Sequence, residues 1–186
     1  MKVRSITGSL SVLAAVGLLP AGLMADGHQS KIELEKEGIQ LIKQVEEVAR
    51  DVRYNAERLN AFSKTREISK WTHYHHLEQI KSLVNDGLRP ALDRLTEIQP
   101  QLPEWKQQSI DRLMDAAKAL AADTSSAILT KNEAGALPPS MNSEYRGLVG
   151  KISAHSEVLV KVSDAAGNYA AARLKAGEAG VEVPRN

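Results

Sequence analysis

Residues 71–79 read WTHYHHLEQ, which places three of the chain's five histidines beside a tryptophan and a tyrosine. Imidazole nitrogens are good ligands for borderline metals and for haem iron, so the cluster raises metal or b-type haem chemistry first. At 100° per residue, however, the three rings do not share a face. His73 falls in the middle of an apolar helical stripe, His76 falls on its flank, and His75 points away with Trp71. His73 and His76 together supply two ligands, and the other histidine at an interior position of its stripe is His155, far along the chain.

A length estimate weighs against joining them. If Ser69 and Ser140 cap their helices at one end of a bundle, His73 and His76 lie about 6 and 10 Å below that end and His155 about 22 Å below it, at 1.5 Å per residue. The structural reading of His73 is a neutral ring packed beneath the cap, where the positive end of the helix disfavours imidazolium. A metal- or b-haem-binding bundle using His73, His76 and His155 is the alternative. No cofactor is assigned.

Other chemistries lack their residues. Inward Glu-x-x-His pairs carry di-iron sites in helical bundles, but Lys70, Thr72, His73 and Ile152 stand three positions before His73, His75, His76 and His155. There is no G-x-S-x-G, H-E-x-x-H or glycine-rich phosphate loop, and no catalytic residue is assigned. The chain contains no cysteine, which excludes disulfides, thiolate metal sites and covalent c-type haem. Trp71 lies off the apolar stripe at a helix start, where two readings stand side by side: an anchor for a protein partner, or a cover for the end of the core. Trp105, after the PEW turn, reads as a cover for the end of the core.

The elements that must position these residues are helices. Leu34, Gly38, Leu41, Val45, Val48, Val52, Ala56 and Leu59 follow at spacings of mostly three and four, the period of one apolar face. Ser30 and Glu33 form an S-x-x-E capping box ahead of them. A second stripe runs through Leu77, Ile80, Val84, Leu88, Ala91, Leu95 and Ile98 and crosses Gly87 and Pro90 without losing phase. The proline predicts a kink near Asp86. The third stripe holds Leu102, Ile110, Leu113, Ala117, Leu120, Thr124 and Ile128, and the fourth Tyr145, Leu148, Ile152, His155, Leu159, Val162, Ala166, Tyr169 and Arg173.

These patterns predict an all-α fold, an antiparallel up-down-up-down four-helix bundle with helices over about 31–62, 69–98, 103–131 and 141–175. A long hairpin pair that dimerises is the competing arrangement. Alanines in the last two helices imply close approach and little room for a bulky ligand, whereas glycine and proline at the kink suggest a gap that a small molecule could enter. Residues 176–186 read as a disordered tail.

Residues 1–25 have the layout of a secretory signal peptide: Lys2 and Arg4, an uncharged apolar run, then small residues before Asp26. Residues 26–30 then form a flexible mature N-terminus. Removing the signal leaves 22 basic against 23 acidic side chains, a balance that argues against nucleic acid as a partner. The expected protein is exported, to the periplasm or cell envelope or beyond. It has no transmembrane segment once cleaved and acts without enzymatic chemistry through an unknown protein partner or by self-association.

Overall fold

The computed structural model describes residues 23–135 and 137–178, and these are all-helical, with four helices and no strand. The first is α1, Leu23–Phe62. The second is one rod in three parts: α2, Lys70–Ser82, a π-helical turn, Leu83–Leu88, and α3, Arg89–Ile98. The last two are α4, Glu104–Glu133, and α5, Ser143–Glu178. Short 3₁₀ turns, Gln99–Gln101 and Pro139–Met141, introduce α4 and α5.

Several boundaries differ from expectation for local hydrogen-bonding reasons. α1 runs through Ser30, so the predicted capping box does not begin it; a continued helix satisfies the same N–H groups with its own carbonyls. The stretch expected to be flexible, 26–30, is therefore helical. The cap of the last helix is Asn142, whose Oδ1 accepts from the Tyr145 N–H at 3.0 Å, and not Ser140. α5 continues to Glu178, three residues into the predicted tail. Most of the predicted signal, residues 1–22, and the rest of the tail, 179–186, lie outside the described residues. Ser69 caps α2 as predicted, its Oγ accepting from the Thr72 N–H at 3.2 Å. Gly135, at φ +53°, takes the left-handed position after α4 that side chains other than glycine rarely adopt.

The proline in the second rod produces a widened turn. Pro90 has no N–H to offer the carbonyl four residues back, and the chain inserts a π turn before it, in which the Arg89 N–H reaches five residues back to Val84 O. The apolar stripe survives, and Leu77, Ile80, Val84, Leu88, Ala91, Leu95 and Ile98 are all buried.

Packing places α1 beside the second rod and α5, and α4 beside α5 and the second rod. Three of these four seams are extensive. The seam between the second rod and α4 is the sparse one. Phe62, ending α1, meets His76 near the start of α2, while Glu37 in the first half of α1 meets Arg94 in α3 at 2.6 Å. Arg50 bridges α1 to Asp164 of α5 at 3.0 Å. Such exposed pairs contribute about 0–1 kcal/mol each, so the buried stripes hold the fold.

Along α5 the predicted stripe residues Tyr145, Ile152, Leu159 and Ala166 are buried, and at the positions between them the inward place passes to the next residue along. Val149, Ser156, Ser163 and Ala170 are buried, while Leu148, His155 and Val162 lie on the flank and Tyr169 is exposed. Small hydroxyl residues suit this interior because they bond their own helix: Ser156 Oγ donates to Ser153 O and Ser163 Oγ to Leu159 O.

Candidate functional site

The Ser69 cap sets the phase of the first α2 turns and so divides their aromatic residues between core and solvent. His73 is fully buried, with Nδ1 3.0 Å from the Tyr145 hydroxyl and the two rings in edge contact. Its Nε2 has no hydrogen-bond partner. A proton added to this ring would create a buried cation, so burial, helped by the charges of His76 and Lys131, pushes its pKa down to about 4. Burial likewise raises the Tyr145 hydroxyl above its usual range.

His76 is nearly buried, with Nδ1 3.1 Å from Asn55 Oδ1. Asn55 uses its amide nitrogen to donate to Asp51 O, which leaves its oxygen to face His76 and puts the imidazole proton on Nδ1. Burial lowers the pKa of His76 as well, and the nearby charges of His75 and Arg58 act in the same direction.

From here the rings continue outward. His76 stands against Phe62 on its inner side and His75 on its outer side. His75 in turn stacks nearly parallel on Trp71, with centroids 5.4 Å apart at 12°. Trp71 is 70% exposed. Tyr74 is also exposed, with Lys131 of α4 over its ring at 5.0 Å. Lys70 Nζ donates to Gly135 O, tying the start of α2 to the end of α4.

His155 takes no part in this cluster. Its Nε2 lies 3.1 Å from Asp123 Oδ2 in the α4–α5 seam, on the flank and not in the core stripe where the sequence periodicity placed it. A metal ion needs three or more donors within about 2.1 Å of one point. The structure pairs His73, His76 and His155 with three separate partners, and no group of three His, Asp or Glu side chains converges among the described residues.

Two further residues carry unusual chemistry that the sequence reading passed over. Tyr145 heads the α5 stripe at the same end as His73, so its place in the stripe was the available signal for their pairing. Lys106 is only 2% exposed, at a spacing of four from both Leu102 and Ile110; that spacing was its signal, masked by its charge. Its Nζ donates to Glu35 O at 3.2 Å and lies 3.9 Å from the Glu35 carboxylate. Burial lowers its pKa against the opposing pull of Glu35. Trp105 is partly covered and packs edge-on against Tyr169 with centroids 4.6 Å apart.

The arrangement offers an outward-facing aromatic surface of Trp71, His75 and Tyr74, with the buried imidazoles of His76 and His73 behind it. Among the described residues no helix is long and apolar enough to cross a membrane. Compared with protein-family models, curated proteins and solved structures, the chain matches none.

Proposed function

We propose that this protein is an exported, non-enzymatic up-down-up-down four-helix bundle that works as an interaction module, docking a protein partner on the α2 end through Trp71. Antiparallel neighbours are supported by the pairs Phe62–His76, Glu37–Arg94, Arg50–Asp164 and Trp105–Tyr169. Export is supported by the charged, apolar and small-residue order of residues 1–25.

The observation that carries the docking reading is the 70% exposure of Trp71, stacked on His75. A large indole left in water on a capped helix forgoes about 2 kcal/mol of burial that an inward position would provide. Its stack on the likewise exposed His75 favours one orientation before any partner arrives, which lowers the entropy lost on docking. Exposed Tyr74 extends the apolar area, and Lys64, Arg66 and Lys70 lie close by in sequence. That composition suits a partner surface with an apolar pocket and an acidic rim.

A benzophenone side chain at position 74 tests this in cells. The expected result is a discrete crosslinked protein adduct that Trp71→Ala removes, with no adduct from the same probe at exposed Leu129. Trp71→Ala should leave the unfolding free energy within about 0.5 kcal/mol of wild type. No adduct at position 74, or one indifferent to Trp71→Ala, defeats the proposal.

A further inference from the structure

The sparse seam between the second rod and α4 contains a cleft that the Trp71 surface does not use. It opens beside the π turn, the one place where the regular α spacing of the rod is broken, and such turns recur at functional sites. Across the seam the α4 face is small: Ala117 and Ala121 stand one turn apart opposite Val84, Leu88 and Leu92. These residues line a groove of about 140 Å³ that is open to solvent on one side, in volume comparable to the ~150 Å³ that accommodates a benzene-sized molecule. Met114 closes one side with a side chain that adapts its shape.

A second, more polar hollow of about 80 Å³ adjoins it, bordered by Lys81, Asn85, Thr124 and Ser125. Arg89 lines both. Neither Arg89 nor Lys118, on the rim of the apolar pocket, has a carboxylate within ion-pair distance among the described residues. Lys81 is held by Glu78 at 3.4 Å, and Asp93 is the carboxylate that lines the apolar pocket. An apolar hollow with a few placed polar groups at one end, set between helices, is the usual form of a small-molecule site.

We infer that this cleft binds a small aromatic or branched aliphatic carboxylate, its apolar body between Ala117 and Leu88 and its carboxylate on Arg89. The planar guanidinium can hold the carboxylate through two parallel hydrogen bonds, with Lys81 adding charge. The Gly87 backbone packs against Val48 of α1, so a molecule wedged on the α4 side bears on a turn already backed from behind.

The test titrates the full chain with phenylacetate, 4-methylpentanoate, toluene and phenethylamine, followed by melting temperature and by amide chemical shifts. The expected result is a saturable rise of at least 2 °C with a carboxylate probe. Toluene should act more weakly and phenethylamine not at all. Amide shifts should concentrate at residues 84–92 and 114–121. Arg89→Gln, at an exposed position, should weaken the carboxylate at least tenfold, and Ala121→Leu should block the pocket. Trp71→Ala should bind as wild type does, which separates this site from the docking surface. The inference is overturned if neither carboxylate saturates, if phenethylamine binds equally well, or if Arg89→Gln binds with unchanged affinity. Should Ala121→Leu fail to fold, the Arg89→Gln comparison and the shift map decide the question.

Discussion

The Tyr145 hydroxyl stands 3.0 Å from Nδ1 of His73, joining the first turn of α5 to the first turn of α2 through two side chains that water does not reach. It is the one side-chain partner of the His73 ring, whose other nitrogen has none. Tyr145→Phe should therefore destabilise the fold by about 1–3 kcal/mol, since it leaves a buried polar atom without a partner. His73→Phe in the same background should recover part of that loss, because the orphaned atom goes with the ring. Urea unfolding of the two single variants and the double variant measures the coupling; a Tyr145→Phe cost under about 0.5 kcal/mol would show that the pair adds nothing.

The buried histidines set an acid limit on stability. An unfolded histidine has its ordinary pKa near 6.5, and His73 in the fold is at about 4. Between those values the unfolded chain binds the proton and the fold does not, so stability is complete above pH 6.5 and declines as pH falls toward 4. The gap is equivalent to about 3 kcal/mol at ~1.4 kcal/mol per unit. His76, also lowered, acts in the same direction. Denaturant midpoints measured across this window should fall with acid, and His73→Phe should flatten the dependence; an equal slope in wild type and variant would remove His73 from the account.

Glycines in this chain should answer alanine substitution with opposite signs. A Cβ added to Gly87 would lie 2.8 Å from Val48 Cγ1, so Gly87→Ala should cost about 1–3 kcal/mol through overpacking. Val48→Ala should relieve it. At Gly147 and Gly150, within α5, an added Cβ meets nothing within 4 Å, so alanine should stabilise by about 0.5–1 kcal/mol through helix propensity. Melting temperatures of the three single variants are sufficient to check the order.

Lys106 separates packing from charge. Its stem fills interior space while its ammonium rests on the Glu35 carbonyl. Lys106→Met keeps the stem and removes the buried charge, so its stability should lie within about 1 kcal/mol of wild type or above it. Lys106→Ala should cost about 2 kcal/mol or more for the space it empties. If both variants lose equally in chemical denaturation, the ammonium and not the stem holds that end of the fold.

Helix content and the phase of the second rod were legible from the chain because both depend on interactions between residues a few positions apart. Periodic apolar side chains and Ser69 as a cap act locally, and each of the seven stripe residues from Leu77 to Ile98 is buried. Pairing across helices was not legible: His73 meets Tyr145 across 72 residues, and His155 meets Asp123 instead of joining the α2 cluster. Nor did periodicity separate His155 from its neighbour Ser156. Neighbouring residues differ by 100° on the helix, and which of two turns inward depends on the room left by the facing helices and on whether a polar atom can be satisfied there. Ser156 is small and bonds its own helix, so it faces inward, while His155 moves to the flank. The same dependence on facing surfaces buries Lys106 and opens the cleft beside the π turn. Residue spacing sets what each helix can present, and only the packed neighbours decide which of those side chains is covered.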